Sequence, residues 1–202
     1  MLRAALLLTL WPVLALADNL WRLDREADGF KVELRDMPGS AFEEIRVTTT
    51  SPEPLQALCD AVWAKGVGAK AEGRFKKREV LSETDTERVT YEQISLPIVS
   101  DRDYVLVVKL LQPADTGRCE VSFSTKEDPS RPPADGHVRM TSVRGHWLLT
   151  PTPEGKVTVV YTVYSDPGGA VPPFLAKGSQ REAAVDFLKT ILARAKSRPA
   201  AP

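Results

Sequence analysis

Between residues 74 and 165 the hydrophobic pattern repeats with a period of two, and this run constrains the fold more than anything else in the chain. Six stretches carry it: KKREVLSET, ERVTYEQISLP, RDYVLVVKLLQ, RCEVSFST, HVRMTSVRGHWLLTPT and KVTVVYTVYS. A period of two places alternate side chains on opposite faces of extended backbone. Short connections such as ADTG and PEG join the stretches, so an antiparallel sheet built largely from sequence neighbours is the economical topology. One connection is longer. KEDPSRPPADG, residues 126–136, contains three prolines and reads as a flap or a surface excursion.

Such a sheet needs an apolar cover, and the C-terminal segment supplies one. After Pro172-Pro173, which suit a helix start, Ala184, Phe187, Leu188, Ile191, Leu192 and Ala195 recur at helical spacing as one stripe, with Glu182, Asp186, Lys189, Arg194 and Lys196 on the other side. Upstream, NLWRLDREADG reads as a short amphipathic start. FKVELRD and AFEEIRVTTT read as extended segments, and SPEPLQALCDAVWAKG as a helix stopped by Gly66. The expected fold class is α+β: a curved antiparallel sheet gripping a long C-terminal helix, with an internal cavity where the two layers diverge.

The chain has 202 residues, 43% of them hydrophobic, enough for one sizeable core. Its 27 basic and 27 acidic side chains balance, which argues against nucleic-acid binding, since phosphate neutralisation needs a cationic surplus on one face. Residues 1–17 read as a secretory signal peptide. A basic start at Arg3 precedes an apolar run too short to span a bilayer, and Ala15-Leu16-Ala17 is a small-x-small cleavage site. The mature chain then begins at Asp18, with one domain over residues 18–198 and a disordered tail at 199–202. A periplasmic or secreted location is expected, and no cysteine stands at the cleavage point to accept lipid. Export would permit a bond between Cys59 and Cys119. The simpler reading leaves both as small buried hydrophobes, because nothing in the sequence fixes their separation.

Catalytic signatures are missing. His137 and His146 are not at metal-ligand spacing, and there is no HExxH, paired CxxC or GxSxG; KGVGAK lacks the ending of a phosphate loop and reads as a plain connection. No metal, no cofactor and no enzymatic activity are expected. Tyr91, Tyr104, Trp147 and Tyr161 are candidates to line an apolar chamber, although strand aromatics are more often ordinary core. Arg144 and His146 share one strand face and form a candidate polar contact. The basic run Lys65, Lys70, Arg74, Lys76, Lys77 and Arg78 reads as a solvated charged face.

Residues 96–107, LPIVSDRDYVLV, the Trp-x-x-x-Pro of Trp147 to Pro151, and Asp166-Pro167-Gly168-Gly169 followed by Pro172 together resemble the steroidogenic-acute-regulatory-related lipid-transfer (START) domain family. The likeness runs in order from about residue 20 to 196. The sequence departs from the pattern at Leu96, where an aromatic is frequent, and in the glycine- and lysine-rich stretch after the first helix. The resemblance implies a helix-grip fold enclosing a hydrophobic tunnel for one lipid, gated by the C-terminal helix and a long loop between strands.

Under that reading the chain is a monomeric carrier that binds a lipid or other hydrophobic small molecule, touches a membrane surface transiently and performs no covalent chemistry. A cyclase- or hydratase-like enzyme and a lipid-sensing interaction module are the alternatives. Analogy points to Arg102 as a contact for a lipid's polar head, with Asp101 and Asp103 as its ion-pair partners. The bland reading, in which Arg102 only staples the strand to a neighbouring loop, is at least as strong. Glu92 resembles a buried pocket acid of sterol-binding relatives, yet its simpler reading is a solvent-facing strand residue. The gate is expected to comprise Gly168, Gly169, Phe174, Phe187, Leu188 and Ile191, moving with the 126–136 loop.

Overall fold

The computed structural model describes residues 20–63, 75–96 and 99–197. The expected signal peptide, the KGVGAK connection with Gly66, and the C-terminal tail lie outside these residues. Ten strands form one sheet: β1 (Arg22–Ala27), β2 (Phe30–Asp36), β3 (Glu43–Ser51), β4 (Phe75–Glu83), β5 (Glu87–Ile94), β6 (Asp101–Gln112), β7 (Cys119–Thr125), β8 (His137–Arg139), β9 (Ser142–Pro151) and β10 (Val157–Asp166). Helix α1 (Leu55–Trp63) follows β3, and α2 (Pro173–Ser197) closes the described chain. The sheet is ordered β1-β2-β3-β10-β9-β7-β6-β5-β4, so β3 pairs with β10 across the whole sequence, while most other neighbours are consecutive. This is the expected helix-grip arrangement: an antiparallel sheet packed around a C-terminal helix.

Two strands differ from the sequence reading. The amphipathic start is strand β1, paired with β2 around Asp28-Gly29, both at positive φ. The stretch HVRMTSVRGHWLLTPT is broken at Met140-Thr141 into β8 and β9, and β8 runs parallel to the first residues of β6. Bulges in β1, β4 and β6 bend the sheet.

The core lies between the sheet's inner face and the two helices. Val32, Ile45, Val47, Val121, Leu149 and Val159, from five strands of the sheet, meet Leu58 of α1 and Leu188 and Ile191 of α2. Cys59 and Cys119 are bonded, their Cα atoms 5.8 Å apart, which ties α1 to β7 across 60 residues. The favoured reading of two unpaired thiols is thereby corrected: α1 lies over the sheet where β7 begins, a juxtaposition that only the tertiary fold creates. Gly145, in the middle of β9, is required by close approach. A Cβ there would stand 2.0 Å from the Thr162 carbonyl oxygen and 2.5 Å from the Phe123 ring.

Candidate functional site

Past the packed core, α2 and the inner face of the sheet separate around a cavity of ≈ 550 Å³. Alternation decides which strand residues reach it. Along β6 the inward positions are Tyr104, Leu106 and Val108; along β9 they are Val143 and Trp147; along β10 they are Tyr161 and Val163. Trp147 and Tyr161 are direct cross-strand neighbours and stack with centroids 4.1 Å apart, and Phe187 of α2 meets both rings edge-on at 5.7 and 5.6 Å. These three form an aromatic wall.

The opposite wall carries a polar cluster. Glu92 of β5 is 3% exposed and faces the cavity. Its Oε1 accepts from Arg78 Nε at 2.7 Å and from Thr90 Oγ1 at 3.1 Å, while Oε2 accepts from the Tyr104 hydroxyl at 2.8 Å. Burial, then the adjacent Glu92 charge, pushes the Tyr104 hydroxyl pKa well above the phenol range and raises that of Tyr161 in the same direction. The solvent-facing reading of Glu92 is therefore corrected. Arg78, read as part of a solvated basic run, also turns inward, while Lys76 pairs with Asp101 and Lys77 with Glu79. Its place was hidden because β4 bulges between Phe75 and Lys77 and again between Val80 and Ser82, so counting back from the turn reaches the wrong face.

The remaining candidates fall elsewhere. Tyr91 has the opposite parity from Glu92 and packs with Val89 and Val105 on the outer face, its hydroxyl donating to Asp103 at 2.9 Å. Arg144 and His146 do share a face, as read, but it is the outer one; Arg144 lies over the Tyr164 ring at 4.5 Å. On α2, Phe187 lines the cavity, Leu188 and Ile191 turn into the core, and Phe174 stands 79% exposed.

Arg102 is 2% exposed and lies at the strand start without either flanking carboxylate as a hydrogen-bond partner. Neighbouring strand residues point to opposite faces, so Asp101 and Asp103 cannot close a knot with the residue between them. Instead Arg102 donates to three main-chain carbonyls: Pro167 (Nε, 2.7 Å), Gly168 (Nη2, 3.1 Å) and Ser100 (Nη1). Gly168 and Gly169 both adopt positive φ, which any side chain would resist, and so bend the Pro167 and Gly168 carbonyls toward the guanidinium. Burial lowers the Arg102 pKa, against the opposing pull of Asp101. The stapling role is the one this geometry fits, joining the β5–β6 connection to the segment that leads into α2.

Asp103, fully buried, pairs across the outer face with Arg139 (2.8 Å) and accepts from the Ala134 N–H (2.8 Å). Burial pushes its carboxyl up, but Arg139, Ala134 and Tyr91 outweigh it and hold the pKa below the usual range. These contacts, with Arg131 on Glu79, pin the 126–136 loop to the outer face of β4–β6. That loop contributes no residue to the cavity lining, unlike the gate expected of it. Leu96 and Val99 of the β5–β6 connection, with Pro167 and Val171 ahead of α2, do line it.

Comparison with known proteins agrees with this architecture. An uncharacterized protein of Pseudomonas aeruginosa is 31% identical over 191 residues, covering 91% of this chain and 90% of its own. The crystal structure of a STAR-related lipid transfer protein from Xanthomonas axonopodis superposes with a TM-score of 0.76 at 28% identity, covering 88% of this chain and 99% of that one. Human StAR-related lipid transfer protein 5 shares the fold, with a TM-score of 0.75 at 22% identity over 90% of this chain and 88% of that one. With a family model described as START domain matching residues 17–200, a mostly apolar cavity between sheet and helix, and these relatives over nearly its full length, the chain belongs to the START domain family.

Proposed function

We propose that the protein binds a lipid in the cavity between α2 and the sheet and carries it across an aqueous compartment without covalent chemistry. The observation that carries this reading is the cavity itself, mostly apolar, with Arg78, Glu92 and the Tyr104 hydroxyl forming one polar cluster in its wall. Burial in such a site needs no reaction to be favourable: at roughly 25 cal/mol per Å², each 100 Å² of apolar ligand surface taken from water contributes about 2.5 kcal/mol. Glu92 argues for holding rather than for proton transfer, because both its oxygens are already engaged and the phenol beside it resists ionisation.

Export of the mature chain from Asp18 to a periplasm or the medium is part of the proposal, supported by the Cys59–Cys119 bond, which persists best in an oxidising compartment. Native mass spectrometry of protein purified from cells tests the binding reading. A hydrophobic adduct of unchanged mass after incubation is expected, together with accelerated exchange of that lipid between vesicles. Conversion of the adduct would favour the cyclase-like alternative, binding without exchange a sensor, and an empty protein that takes up no lipid would end the proposal.

A further inference from the structure

We infer that Gln180 of α2 and Ser165 of β10 form a second polar contact for the ligand, so that the cavity selects an amphiphile with a neutral hydroxyl or amide at the end remote from Glu92. The inference rests on reading the cavity as a lipid site and adds a requirement on the ligand's far end.

Placement comes first. Along β10, Tyr161, Val163 and Ser165 alternate inward, and all three line the cavity. The sheet order puts β10 four strand steps from β5, so Ser165 stands about 19 Å from Glu92 along the curved sheet at roughly 4.8 Å per step. The stretch between them is apolar, lined by Leu106 of β6, Phe123 of β7 and Val143 of β9. On α2, Gln180 shares one helical face with Ala176, Ala183 and Phe187, which also line the cavity. A polar group at this place is therefore no extension of the Glu92 cluster.

The hydrogen bonds decide the chemistry. Gln180 Nε2 donates to the Ser165 carbonyl at 2.8 Å and lies 3.4 Å from the Ser165 hydroxyl. A carbonyl only accepts, so this bond fixes the amide with its nitrogen toward β10 and leaves Oε1 without a donor among the described residues. The Ser165 hydroxyl has no acceptor for its own proton among them either. Ser179, beside Gln180 in the lining, spends its proton on the Ala176 carbonyl at 2.9 Å and keeps a free oxygen. Glu43, on the neighbouring strand β3, is already engaged by Arg181 and Arg22. The place thus offers one hydroxyl proton and two or three acceptor oxygens with no uncommitted charge, which suits a ligand hydroxyl or amide. A bare hydrocarbon end would strip water from these atoms and return nothing.

The test titrates delipidated mature protein by calorimetry with straight-chain diols hydroxylated at both ends, eight to twelve carbons long, each against the mono-alcohol of the same length. At the best length the wild type should bind the diol within tenfold of the mono-alcohol, although the diol gives up the hydration of a second hydroxyl. Gln180→Leu keeps the side chain's bulk and removes the amide, and should lower the diol-to-alcohol affinity ratio at least tenfold. Ser165→Ala leaves the Gln180 bond to the main-chain carbonyl in place, and should lower the ratio about threefold. The ratio is the readout because Gln180 also tethers α2, and a loosened tether weakens both ligands alike. Thermal melts confirm folding of each variant. A wild-type diol more than tenfold weaker at every length, or an unchanged ratio in folded Gln180→Leu, would overturn the inference. Failure of the wild type to bind any mono-alcohol or diol would instead overturn the lipid-site reading itself.

Discussion

Replacing Arg102 by leucine separates a staple from a ligand contact. The substitution removes three charge-assisted hydrogen bonds, to the carbonyls of Pro167, Gly168 and Ser100. The bond to Pro167 is buried, so that carbonyl is left stranded at about 2 kcal/mol; the other two are part-buried, where water can replace the donor and the loss is nearer 1 kcal/mol each. Relief of the buried cation's desolvation offsets some of this, leaving a net loss of about 3 kcal/mol. At about 2.1 cal/mol/K per residue over the roughly 180 residues that the START domain family model matches, the unfolding entropy is about 0.38 kcal/mol/K, so the melting temperature should fall by about 8 °C. Arg102→Lys should recover less than half of it, since one ammonium cannot span three diverging carbonyls. Calorimetry and lipid binding are to be measured on the same variants. A fall below 2 °C with binding abolished would refute the reasoning, because the carbonyl contacts would then be dispensable and the guanidinium would serve the ligand.

Removing the Cys59–Cys119 bond in the double alanine variant frees a 60-residue loop and should cost about 4 kcal/mol, read as a melting temperature about 10 °C lower, whereas a change under 1 kcal/mol would mean the bond does not constrain the unfolded chain. Gly145→Ala forces a methyl group into the Thr162 carbonyl and should destabilise by at least 2 kcal/mol in urea titration. Because the folded pKa of Asp103 lies below its unfolded value of about 3.9, its contribution is full above that value and is lost as pH falls through the folded pKa; the stability gap between wild type and Asp103→Asn should therefore hold at neutral pH and shrink as pH falls below about 4. Amide exchange should be faster over residues 173–183 than over 184–195, and ligand should slow the first segment more; equal rates would remove any distinction between the two halves of α2.

The legible part of the fold is the part set by local periodicity. Alternation found the strands, and helical spacing found α2, because each signal lies within one element. Strand β1 was missed even though Asp28-Gly29 is a strong hairpin signal; Arg22, Asp24, Arg25 and Glu26 gave it no apolar face. Strand β8 was read as the start of β9; its separate pairing was hidden because it is three residues long and runs parallel to a strand 36 positions upstream. Of the site, Tyr104, Trp147, Tyr161 and Phe187 were within reach, since large aromatics on alternating positions point somewhere apolar. Arg78 was not, because one bulge lies between it and each end of β4, so counting from either end reverses its parity. The Asp101-Arg102-Asp103 reading failed for a reason the sequence itself contains: in a strand, adjacent side chains face apart, so charge neighbours in sequence are not neighbours in space.

That separation explains how the cover over the cavity is fastened. The C-terminal half of α2 puts Leu188, Ile191 and Ala195 into the core beside α1, and α1 is bonded to β7, so this half rests on a platform tied covalently to the sheet. The N-terminal half has a smaller apolar footing, Ala176 packed with Phe42 and Tyr164 in a separate cluster, and relies more on polar contacts. Gln180 donates to the Ser165 carbonyl, Arg181 pairs with Glu43 and Asp24, and the segment before Pro173 is held by the bonds from Arg102 to the Pro167 and Gly168 carbonyls. Polar contacts at a surface exchange readily with water, whereas apolar burial does not. The same guanidinium also holds Ser100, next to Val99, so one side chain links two segments that line the cavity, the β5–β6 connection and the stretch ahead of α2. Asp103, facing the other way, fixes the 126–136 loop on the outside. The strand start thus sends its charges to two jobs on two faces, with the cation joining two cavity-lining segments and the carboxylate holding the sheet's outer cover.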